Sequence, residues 1–83
     1  MSYFVYLIGN YNKKKFISYV GYTNNLKKRI NLHNQGKGAK FTRGRKWELI
    51  YYETYQTKRE AILREHNIKK NRRIRKSIVD NYK

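Results

Sequence analysis

"WELIYYETYQTKREAILREHNIKK", residues 47–70, decides the fold class of this 83-residue chain. Its opening part, 47–55, is aromatic and β-branched and gives the strongest strand signal in the sequence. Thr57 and Glu60 then form the T-x-x-E pattern of a capping box, which predicts a helix near 58–70. A strand running almost directly into a capped helix marks a mixed domain.

Upstream, "YFVYLI" at 3–8 and "FISYV" at 16–20 read as two further strands. The turn-rich, charged "GNYNKKK" joins them into an antiparallel hairpin, and Gly21 is expected to end the second strand. Thr23 is the expected N-cap of a helix over 24–34. "QGKGAKFTRGRK" reads as a basic loop with three glycines. Downstream of residue 70, "NRRIRKSIVDN" reads as a second, shorter helix or a bent continuation. The order is β-β-α-β-α-α, an α+β fold with a small, mainly antiparallel sheet and helices packed on it, in one domain over residues 1–83.

Charge narrows the partner. Twenty-one Lys and Arg oppose five Asp and Glu, a formal net charge of +16, which attracts polyanions, nucleic acid first among them. The many Lys, Asn, Ile and Tyr residues also fit an AT-rich coding sequence. With no cysteine, disulfides and zinc–thiolate sites are excluded. The sequence has no signal-peptide pattern and no apolar run near the roughly 18 residues of a spanning helix. The expectation is a soluble, intracellular protein.

A domain this small buries only about 60–65% of its unfolded surface, so each core position matters. Yet the first helix places Leu26, Arg29, Ile30 and His33 on one face. Arg29 can snorkel from the edge of the core and His33 can be a partly buried, hydrogen-bonded histidine, or the pair can be functional. The second helix repeats the oddity, since Glu65 interrupts the stripe of Ala61, Ile62 and Ile68. It reads as one half of a salt bridge or as a hard oxygen ligand for a divalent cation. Nine tyrosines supply packing and stacking surface, and a positive surrounding makes a phenol easier to ionise. Lys37, Lys40, Arg43, Arg45 and Lys46, with Phe41 among them, form a loop suited to nucleic-acid backbones. Lys69, Lys70, Arg72 and Arg73 extend the basic surface.

"FVY" at 4–6 and "YVG" at 19–21 resemble the two short blocks that name the GIY-YIG nuclease family. Arg29, His33 and Glu65 follow at matching intervals, and residues 32–70 resemble its small single-domain branch. The resemblance implies a central three-stranded antiparallel sheet flanked by helices. It also implies Mg2+- or Mn2+-dependent hydrolysis of a DNA phosphodiester. Tyr6, Tyr19, Arg29, His33 and Glu65 stand at the catalytic positions, with Glu65 as metal ligand. Phe4 and Val20 depart from the naming blocks at packing positions, and Asn81 is the nearest candidate for a supporting asparagine.

The expected function is an endonuclease with shape or weak sequence specificity, of use in DNA repair or recombination. Its substrates would be duplex, branched or flapped DNA, with an accessory protein as a possible source of specificity. The alternatives are a catalytically silent basic module on the same fold and a basic RNA- or ribosome-associated protein. The last explains the charge but leaves Arg29, His33 and Glu65 as coincidence.

Overall fold

The computed structural model describes residues 2–12 and 15–82. Lys13 and Lys14, in the expected hairpin connection, lie outside the described residues, as do Met1 and Lys83. The elements are β1 (Tyr3–Asn12), β2 (Lys15–Thr23), α1 (Leu26–Asn34), β3 (Glu48–Tyr55), α2 (Lys58–Lys70) and α3 (Arg72–Tyr82). This is the β-β-α-β-α-α order read from the sequence. The sheet is antiparallel throughout, in the order β2-β1-β3.

The two faces of β1 seed two cores, because alternate side chains of a strand point to opposite faces. Val5 and Leu7 join Val20 of β2 and Ala61 and Ile68 of α2, with Ile74, Ile78 and Val79 of α3 packed against them. Tyr6 and Ile8 face the other way, toward Trp47 and the α1 residues Leu26 and Ile30. The sheet is therefore sandwiched between α1 on one side and α2 and α3 on the other.

Boundaries differ from expectation in four places. The hairpin strands are longer than 3–8 and 16–20, and Gly21 does not end β2. It pairs with Tyr6 inside the ladder, where a glycine admits a close approach instead of breaking the strand. The α1 cap is Asn25, whose side chain accepts from the Lys28 N–H at 3.1 Å. Thr23 is the last residue of β2, and its hydroxyl accepts from the Asn25 N–H at 3.1 Å. Trp47 precedes β3, held by the Asn34 side chain: the Trp47 backbone N–H donates to Asn34 Oδ1 at 2.5 Å, and the Trp47 carbonyl accepts from Asn34 Nδ2 at 3.1 Å.

The α2 helix spans the expected residues with the Thr57–Glu60 capping box complete. Asn71 separates α3 as a helix of its own, with extended backbone and a side chain accepting from the Ile74 N–H at 3.1 Å. The Arg75 guanidinium donates to the Ile68 carbonyl at 2.9 Å and to the Lys69 carbonyl, which satisfies the free end of α2.

A second polar cluster fixes α2 against β3. Arg64 grips Glu53 with two hydrogen bonds, Nε to Oε1 at 2.8 Å and Nη2 to Oε2 at 3.0 Å. The Tyr51 and Tyr55 hydroxyls donate to the same carboxylate. Burial alone would raise the Glu53 carboxyl, but the bonds from Arg64, Tyr51 and Tyr55 outweigh it and hold it at about 2.

Candidate active site

A chain of hydrogen bonds runs through the α1 face of the sheet. Tyr6 projects from mid-β1 and is 2% exposed, and its hydroxyl lies 2.8 Å from His33 Nε2. His33, from the last turn of α1, is 1% exposed and sits 2.9 Å from the Thr42 hydroxyl through Nδ1. Thr42 in turn donates to the Ala39 carbonyl at 3.0 Å. A hydroxyl has one proton to give. With that proton on Ala39, Thr42 can only accept from His33, so Nδ1 carries the hydrogen. Burial first, and then the Arg29 guanidinium, lower the His33 pKa, which keeps the ring neutral. Its Nε2 is then a free acceptor, and the Tyr6 hydroxyl donates to it.

Two glycines make room for this chain. A methyl on Gly21 would overlap the Tyr6 hydroxyl, and a methyl on Gly38 would overlap the His33 ring at Nδ1. The basic loop is folded over the histidine by Thr42 and by the Trp47 indole, whose N–H donates to the Thr42 carbonyl at 2.9 Å. Gly36 and Gly44 supply its left-handed turns, with φ of 78° and 74°.

The remaining expected residues gather round. The Tyr19 ring meets the His33 ring edge to face with centroids 5.2 Å apart, and stacks on Phe41 at 6.0 Å. Arg29 lies close enough to Tyr6 to act on it, although burial dominates and pushes the phenol well above its ordinary value. Arg29 Nε is buried and has no hydrogen-bond partner among the described residues. Glu65, 8% exposed on α2, is near enough that its charge adds to the upward push on Tyr6. Its carboxylate is 3.4 Å from Lys69 Nζ and 3.9 Å from His66 Nε2.

Among the described residues no group of three or more His, Cys, Asp or Glu side chains comes together. Glu65 is a hard oxygen donor near Tyr6, of the kind that can hold a cation such as Mg2+ together with waters and substrate phosphates.

Of the expected nucleic-acid ligands, Lys37, Lys40, Arg43 and Lys46 are exposed on the loop, and Phe41 is 52% exposed. Arg45 is partly buried, its guanidinium over the Phe41 ring at 5.5 Å. Lys69 sits over the Tyr19 ring at 5.6 Å. Lys70, Arg72 and Arg73 are exposed at the α2–α3 junction. Asn81 is exposed on the last turn of α3, and its neighbour Tyr82 lines a groove with Asn10 and Glu48. Asn81 therefore lies toward the Asn10–Glu48 end of the sheet. Thr42 and Gly38 were missed from the sequence. Gly21 stands in the sequence as a strand end and as the last residue of the YVG block, with nothing local that links it to Tyr6.

The GIY-YIG catalytic domain family model matches residues 2–77. The chain belongs to the GIY-YIG family. It is 58% identical over 53 residues to the UPF0213 protein CPE1444 of Clostridium perfringens, covering 63% of this chain and 57% of that protein. It is 51% identical over 61 residues to the UPF0213 protein YazA of Bacillus subtilis, covering 72% of this chain and 62% of that one. Each match thus spans less than two thirds of the relative's length. The solution NMR structure of the UPF0213 protein BH0048 from Bacillus halodurans superposes with a TM-score of 0.52 at 34% identity, covering 100% of this chain and 86% of that one. The GIY-YIG domain is that of a nuclease-type hydrolase family, and the BH0048 structure shows the same fold. Among the described residues, no helix is long and apolar enough to cross a membrane.

Proposed function

We propose that this GIY-YIG domain is a metal-dependent DNA endonuclease that hydrolyses phosphodiester bonds. The observation that carries the reading is the buried Tyr6–His33–Thr42 chain, with Arg29 and Glu65 beside it. A nonenzymatic core would be better served by apolar side chains at these positions.

In this reading Tyr6 is the general base, acting by relay. As an attacking water gives a proton to the Tyr6 oxygen, Tyr6 passes its own proton to His33 Nε2. Tyr6 stays neutral, His33 becomes imidazolium, and the hydroxide oxygen forms the new bond to phosphorus as the bond to the leaving oxygen breaks. Burial makes a free phenolate costly here, and the relay avoids one. Tyr19 positions the histidine ring. Arg29 donates to the phosphate and offsets the charge that develops on it. Glu65 would hold Mg2+ or Mn2+, which when bound supplies charge stabilisation at the leaving oxygen. The exposed loop cations engage the sugar–phosphate backbone, so recognition is by shape or weak in sequence.

The test is cleavage of labelled duplex, single-stranded, flapped and four-way-junction DNA in Mg2+ or Mn2+, with Glu65→Ala alongside. Cleavage by the natural protein and not by the variant supports the reading. Tight binding without metal-dependent cleavage of any substrate would overturn it in favour of a silent binding module.

A further inference from the structure

Two surface depressions lie on β2, an outer strand of the sheet, and each reaches the candidate site, one through Arg29 and the other through Tyr19. One is a polar cleft lined by Tyr3, Tyr22, Thr23, Asn24, Arg29 and Lys58. The other is an aromatic, basic groove lined by Ser18, Tyr19, Val20, Phe41, Lys69 and Arg75. Gly21, which faces Tyr6, stands between them on the strand. Neither lining includes a carboxylate.

The α2 helix runs alongside with opposite sense, its first residue Lys58 at the Thr23 end and Lys69 at the Tyr19 end. At the helical rise these two lysines are about 16 Å apart along the axis, and Glu65 lies between them. Tyr19 and Thr23 are about 13 Å apart along β2. The cations thus bracket the reacting position from both sides.

We propose that this edge of β2 is a two-ended track for one nucleic-acid strand. The cleft around Lys58, Tyr3 and Tyr22 takes a backbone phosphate on one side of Tyr6. The groove around Tyr19, Phe41 and Arg75 takes an unpaired nucleotide on the other. The chemistry of the linings separates the two roles. Hydroxyls and cations suit a phosphate, while an exposed ring beside cations suits a base. A track with a subsite on each side engages a strand that continues in both directions, so the scissile bond is internal. This assignment rests on the nuclease reading only for what happens at Tyr6.

Binding measured in EDTA tests the track without turnover. The probe is fluorescein-labelled oligothymidine of about 4–16 nucleotides, titrated by anisotropy across a salt series. Lys58→Ala should flatten the log–log salt slope by about 0.7, the loss of one phosphate contact on a single strand. Phe41→Ala should weaken binding about tenfold with the slope unchanged. Lys27→Ala, on α1 in a groove shared with Leu49 and Tyr52 of β3, should do neither. Thermal melts confirm that each variant is folded. Effects of Lys58→Ala and Phe41→Ala no larger than that of Lys27→Ala would overturn the track. Cleavage with no such signature removes the track and leaves the nuclease reading. The signature without cleavage of any substrate does the reverse.

Discussion

Gly21 faces Tyr6 across the β2–β1 ladder, and it leaves the volume into which the Tyr6 hydroxyl reaches. A side chain there and the Tyr6–His33 hydrogen bond cannot both fit. Gly21→Ala should therefore lower DNA cleavage by about 10²-fold or more, the scale of a lost proton-transfer group. DNA binding in EDTA should change little, because the loop cations are untouched. Cleavage at the natural rate would mean that Tyr6 need not sit where it does.

Thr42 fixes the tautomer of His33 by spending its own proton on Ala39. Thr42→Ser keeps the hydroxyl and should keep activity, whereas Thr42→Val should lose about tenfold or more. The 15N shifts of His33 should read Nδ1 as protonated and Nε2 as bare in the natural protein, and a mixture in Thr42→Val. A bare Nδ1 in the natural protein would overturn the assignment.

The acid limb of the rate–pH profile follows from His33. The relay needs a neutral ring, and burial and Arg29 lower its pKa below the ordinary 6.5. Cleavage should hold through neutral pH and fall only below that value, as the ring takes a proton. A limb centred above 6.5 would contradict a buried His33 acceptor.

Glu53 gives a stability prediction independent of catalysis. Its carboxyl sits at about 2 in the folded protein against 4.5 for the free group. A depressed carboxyl stabilises the fold fully above its unfolded value and loses that contribution as pH falls through the folded one. The melting temperature should drop between about pH 4.5 and 2, and Glu53→Gln should flatten that limb. Arg64→Ala should cost about 2–3 kcal/mol through its lost charged hydrogen bonds, measured by urea unfolding.

Arg29→Ala should reduce cleavage by about 10²–10³-fold, the scale of a lost charge-stabilising donor. Arg29→Lys should restore only part, since a point charge does not replace the guanidinium fork. The check is single-turnover kinetics at saturating protein. Near-natural turnover in Arg29→Ala would remove it from the chemistry.

Local signals determined much of this protein. The capping box at Thr57 set the start of α2, because the two side chains that satisfy its free N–H groups are three residues apart. β-Branched and aromatic residues in 3–8 and 47–55 marked strands, and the i, i+3, i+4, i+7 spacing put Arg29 and His33 on the face of Leu26 and Ile30. Those features are encoded within a few residues, so a sequence displays them. The role of Gly21 is not encoded that way: it depends on Tyr6, fifteen positions earlier, and only strand pairing brings the two together. Thr42 is an ordinary loop threonine until the chain folds back and sets its hydroxyl on His33. Sequence by itself determined the elements and the residue types that the proposed chemistry needs. Tertiary structure alone decided which proton sits on which nitrogen, because that depends on long-range hydrogen bonds closing around a buried ring.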